Sequence, residues 1–95
     1  MSSVHSDGQL IVAGCSACND GFGEIFFYEL KWGELVPYSI RGDPATGKRV
    51  GKSVWTEQDP ISGGNRIWYT TDYQIITASL ISYGGKVVLE DELFI

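Results

Sequence analysis

Histidine occurs once in these 95 residues, cysteine twice and proline three times, and only seven lysines and arginines stand against twelve acidic residues. Each shortage narrows the function. A net charge of -5 disfavours DNA and anionic membrane as main partners, because phosphate binding needs a positive field. It suits solubility, or docking onto a basic partner. No apolar run approaches the roughly 20 residues that span a bilayer, so no membrane segment is expected. The opening Met1-Ser2-Ser3-Val4-His5-Ser6-Asp7 lacks the basic and apolar regions of a secretory signal. A cytoplasmic, reducing location is therefore expected, with residues 1–8 as a flexible lead-in to a single domain over 1–95.

The scarcity of metal ligands limits zinc. A structural site takes four Cys or His ligands, and only Cys15, Cys18 and His5 are at hand. A carboxylate such as Asp7 or Asp20 has to complete the set, or two chains share one ion. Cys15-Ser16-Ala17-Cys18 also has the spacing of a redox pair. Its successor Asn19-Asp20-Gly21-Phe22-Gly23 reads as a loop, without the helix N-terminus that lowers a thiol pKa. Two ordinary thiols in a turn are the plain expectation, with zinc binding and a disulfide or redox role as alternatives.

Catalytic patterns are missing too. Ser3, His5 and Asp7 stand in a row, but triad members converge from different elements, and His5 sits in a polar terminal segment that reads as solvated. Glu90-Asp91-Glu92 lacks the alternating pattern of a calcium loop and reads as a solvated turn. The expectation is a protein without enzymatic activity.

What is abundant is glycine, twelve in all, and apolar residues at 43%. The glycines divide the chain into short apolar runs, the usual form of a β protein. Strand-like runs are Gln9–Ala13, Glu24–Trp32, Leu35–Ile40, Arg49–Thr56, Arg66–Thr71, Tyr73–Ser82, Lys86–Leu89 and the closing Leu93-Phe94-Ile95. Pro37 cannot donate to a ladder, which places its strand at an edge or a bulge. Gly84-Gly85 signals a two-residue hairpin. The expected fold is mainly β, a small antiparallel barrel or sandwich of six or seven short strands. The alternative is an α+β fold with one helix near residues 24–32, where Ile25, Tyr28 and Trp32 fit a helical face; aromatic enrichment favours strand.

Gly42-Asp43-Pro44-Ala45-Thr46-Gly47-Lys48-Arg49 resembles a phosphate loop, but Arg49 stands where a magnesium-binding hydroxyl is required. The following residues are also a poor helix start. Asp43-Pro44 and Gly47 read instead as a turn, expected to pair Tyr38-Ser39-Ile40 with Arg49-Val50 as a hairpin. Five of the seven basic residues fall between Arg41 and Arg66, which makes Lys48, Arg49 and Lys52 a local positive patch.

Aromatic content is 13%. Neighbours on a strand point to opposite faces, so one of Trp68 and Tyr69, and one of Phe26 and Phe27, faces away from the core. A chain this short has little material to cover both faces of a sheet, and an uncovered aromatic face is a candidate interface. The function expected is non-catalytic protein binding or assembly, as an inhibitor or accessory factor and with self-association as a homodimer. Trp55, Trp68 and Tyr69 are the expected contacts, with Lys48, Arg49 and Lys52 as their polar rim. Alternatives are a zinc or redox protein using Cys15 and Cys18, and a small-ligand or carbohydrate-binding β module.

Overall fold

The computed structural model describes residues 2–30, 33–59, 64–83 and 86–95. Eight strands lie among them: β1 (Ser3–Ser6), β2 (Leu10–Cys15), β3 (Glu24–Glu29), β4 (Glu34–Arg41), β5 (Val54–Gln58), β6 (Asn65–Thr70), β7 (Ile75–Tyr83) and β8 (Lys86–Phe94). They form two four-stranded antiparallel sheets, each a plain meander, in the orders β1-β2-β3-β4 and β5-β6-β7-β8. The fold is mainly β and sandwich-like, as expected, with more strands than the six or seven anticipated. Glu24–Glu29 is a strand, so the helix alternative for residues 24–32 is corrected: Ile25 and Phe27 bury on one face with a period of two, not 3.6. Trp32 lies outside the described residues.

The core fills the space between the sheets. Leu10 and Val12 of β2, Ile25 and Phe27 of β3, and Ile40 of β4 meet Ile67 and Tyr69 of β6 and Ile76, Ala78 and Leu80 of β7. Phe27 is wholly buried, and truncating such a residue to alanine costs about 3–5 kcal/mol. The alternation expected for the paired aromatics holds. Phe27 and Tyr69 point inward, while Phe26 and Trp68 take the opposite faces.

The closing run is part of a strand, as expected, whereas the strand over residues 3–6 is not expected from the sequence. Ser3–Ser6 pairs with β2 from Ser3↔Gly14 to Ser6↔Ile11, so residues 3–6 are not a flexible lead-in. The turn chemistry explains the pairing. Gly8, with φ +89°, takes the first position of the two-residue loop Gly8-Gln9, as a type II′ hairpin requires. Asp7 closes the loop, its N–H donating to the Leu10 carbonyl and its Oδ1 accepting from the N–H groups of Gln9 and Leu10.

At the other end, residues 86–89 and 93–95 are not two runs parted by a turn. Glu90-Asp91-Glu92 lies inside β8, where the step from Thr77 to Ser79 is matched by the longer step from Leu93 to Glu90, a one-residue bulge. β8 is an edge strand, and charges are favoured on such edges. Pro37 lies in β4, the edge of the first sheet, within a second register shift. β7 and β8 pair as far as Tyr83↔Lys86, and the Gly84-Gly85 turn between them lies outside the described residues.

Residues 42–53 are a crossover between sheets, not the arm of a hairpin. The expected turn is present: Asp43 and Lys48 exchange both backbone hydrogen bonds, and Gly47 takes φ +74°. The expected partner strands are not. Tyr38-Ser39-Ile40 stays with β3, while Val50 crosses the end of the first sheet and donates to the Phe22 carbonyl. The backbones touch so closely that a Cβ on Gly23 would stand 1.9 Å from the Val50 carbonyl oxygen.

Candidate functional site

Six of the ten exposed large apolar side chains among the described residues, Val4, Tyr28, Leu35, Trp55, Ile75 and Leu93, lie on the outward faces of the two sheets, and Leu30, Tyr73, Phe94 and Ile95 lie elsewhere. Directly opposed residues of an antiparallel pair share a face, so the register maps each face. On the second sheet Trp55 faces Trp68, and the row continues through Thr77 to Leu93. Trp55 is 53% exposed, Leu93 57% and nearby Ile75 47%. The indole N–H of Trp68 donates to Glu57 at 3.3 Å. Arg66, one position along, donates to Thr77 and Ser79, each at 3.0 Å, and covers the middle of the sheet with its planar fork.

The outward face of the first sheet was not anticipated as a site. Two cross-strand rows run over it, Val4–Ala13–Phe26 and Ile11–Tyr28–Leu35. Val4 and Leu35 are 59% and 63% exposed. Phe26 beside Phe27 gave the parity signal for this face, but Val4 was hidden in a segment read as flexible.

Of the expected contacts, Trp55 and Trp68 come together on one face. Tyr69 is corrected: it is 3% exposed, in the core, with its hydroxyl donating to Glu92 at 3.4 Å. Burial and then the Glu92 charge push its pKa far up, and the same two causes raise that of Tyr38. Glu92 thus sits by two phenols, one from each sheet, at the β4–β8 side. Lys48 and Arg49 are not a rim to the tryptophans either. Lys48 Nζ lies 5.7 Å from the Tyr69 ring centroid and the Arg49 guanidinium 5.6 Å from that of Phe22, cation–π contacts at the end of the sandwich. Lys52 and Arg49 border a small cleft there with Ser16 and Asp72.

The metal-ligating set does not converge. Cys15 and Cys18 are joined in a disulfide, correcting the expectation of two free thiols. His5 opposes Val12, which is 1% exposed and inward. Cys15, an odd number of residues further along the same strand, points to the other face. His5 is engaged elsewhere: its Nδ1 accepts the Thr56 backbone N–H at 3.0 Å, and its ring stacks on Trp55 with centroids 3.7 Å apart. Among the described residues no three His, Cys, Asp or Glu side chains form a metal-sized group.

Asp7 turns out to be the polar joint between the sheets. Besides closing the β1–β2 turn, its Oδ2 accepts from Thr56 Oγ1 at 3.0 Å and Asn65 Nδ2 at 2.6 Å, and its carbonyl accepts from Gln58. Burial raises the Asp7 pKa, but the bonds from Leu10, Gln9, Asn65 and Thr56 outweigh it and hold the carboxyl below its ordinary value. The signal that could have found this residue was Asp7-Gly8, a hairpin dipeptide. No helix among the described residues is long and apolar enough to cross a membrane. Compared with protein-family models, with curated proteins and with solved structures, the chain matches none.

Proposed function

We propose that this protein is a non-catalytic assembly module that acts by protein contact through its outward sheet faces. One observation carries the reading: both faces present apolar side chains aligned by strand register, with Leu35, Val4, Leu93 and Trp55 more than half exposed. Scattered apolar residues on a surface are ordinary, whereas aromatic and aliphatic rows on rigid strands form the kind of patch that proteins bury against one another. The titratable groups beside the tryptophans are engaged in structural bonds, His5 with Thr56, Glu57 with Trp68 and Arg66 with Thr77 and Ser79, which supports a contact role for the face.

The test is site-specific photo-cross-linking in cells that express the chain. A photoreactive side chain replaces Leu35 on one face, Trp55 on the other, or Thr46 in the exposed turn as control. Protein adducts from position 35 or 55, and none from 46, support an interface. Absence of adducts from both faces overturns it.

A further inference from the structure

The two meanders are stacked front to back, and this decides what fits the faces left open. In the first sheet the inward residues of β1 occupy hydrogen-bonded pairs: Asp7 N–H donates to the Leu10 carbonyl, and His5↔Val12 is two residues further along the same ladder. In the second sheet the inward residues of β5 occupy non-hydrogen-bonded pairs. There the bonds run at Ser53/Thr70 and Asp59/Gly64, and the N–H of inward Thr56 points off the sheet edge to His5. For L-residues, the side toward which N–H and C=O point fixes the face taken by the side chain. The inward faces of the two sheets are therefore opposite faces of the same meander.

The consequence is geometric. β5 lies against β1 and β2, and β8 against β4, so β1 and β5 run in the same direction and the second sheet repeats the first by rotation. A two-fold sandwich would bury equivalent faces on each other and leave none of that kind outside. A front-to-back pair is a heterologous contact, and it leaves one unused face of each kind. The outward face of the second sheet is the counterpart of the face on which β5–β8 now rest. The outward face of the first sheet is the counterpart of the face that rests there. The sheets approach closest along the β1–β5 side, so repeating the rotation turns successive sheets about an axis near that edge, the arrangement of blades in a propeller.

We propose that a second copy of this chain lays the outward face of its first sheet, with Val4, Phe26, Tyr28 and Leu35, on the outward face of the second sheet, with Trp55, Trp68, Ile75 and Leu93. The contact is head to tail, continues the packing already present inside the chain, and closes into a ring. Propellers hold about four to eight sheets, so two sheets per chain give two, three or four copies. This rests on the contact function proposed above and names its partner.

Sedimentation equilibrium of the purified chain at about 100 µM, where a micromolar association is mostly formed, is the first measurement. It is followed by mixing two face-blocked variants. Tyr28→Glu/Leu35→Glu blocks one face and Trp55→Glu/Trp68→Glu the other; Ile75→Glu/Leu93→Glu replaces the latter pair if its circular dichroism is not native. Head-to-tail stacking predicts a wild-type assembly of two to four chains, monomers for either variant alone, and a dimer of one each when they are mixed. A monomeric wild type overturns the second copy as partner, while cross-links to another protein would leave the contact function standing. A dimer of either variant with itself overturns the head-to-tail arrangement.

Discussion

Removing the Asp7 carboxylate takes an acceptor from four donors at once, two in its own turn and two on the facing sheet. Because partly buried donors left unpaired are costly, Asp7→Ala should lower stability by about 2–3 kcal/mol, read as a lower urea midpoint with an unchanged slope. The acid dependence has a definite sign. The folded pKa of Asp7 lies below 3.8, so its contribution is fully present above that value and is lost as pH falls through the folded pKa. The gap between wild type and Asp7→Ala should be constant from neutral pH to about pH 5 and narrow below it. A gap that does not narrow in strong acid would show that the carboxylate charge adds nothing beyond the hydrogen bonds a neutral carboxyl can accept. Alternation made Phe27 and Phe26 legible as one buried and one outward residue, since strand parity is local. The role of Asp7 was not legible, because two of its donors come from Thr56 and Asn65, 49 and 58 residues away in sequence.

The element that the sequence disguised is the crossover over residues 42–53. Its turn residues were read correctly from Pro44 and Gly47, but a turn does not reveal whether the strands beside it pair with each other. The deciding contacts are backbone to backbone, at glycines whose only signature is a missing side chain. Gly23 has φ +85° and no room for a Cβ beside Val50, so Gly23→Ala should cost about 3 kcal/mol or more, from strain and clash together. Gly21→Ala, also at positive φ but with open space around it, should cost only about 1 kcal/mol. Equal losses at the two sites would refute the close-packed crossover. The Cys15–Cys18 bridge closes a very short loop, and reducing it should cost about 1–2 kcal/mol on the chain-entropy relation, a fall in Tm of roughly 5–10 °C for a domain this size. The ladder from Leu10↔Glu29 to Cys15↔Glu24 keeps the hairpin in place, so the reduced protein should stay folded. Disulfides belong mostly to oxidising compartments, so the bridge lends no support to the reducing location expected from the N-terminal residues.

At the scale of the whole molecule, the architecture is repeated. Two meanders of the same topology, each with a register shift on its last strand, differ at most positions, because sheet packing constrains polarity and volume more than identity. Charge then separates the possible partners of the open faces. Each chain carries -5, so copies repel one another at long range while their faces attract by apolar burial. Raising ionic strength from about 0.1 M to about 1 M shortens the screening length from about 10 Å to about 3 Å and should strengthen self-assembly. A basic partner drawn by opposite charge should weaken in the same range. Stability follows the assembly by mass action: the wild-type Tm should rise with chain concentration, and more steeply in high salt, whereas Tyr28→Glu/Leu35→Glu should melt at one temperature at every concentration. A wild-type Tm independent of concentration under both conditions would mean that the apolar rows are not covered by another copy.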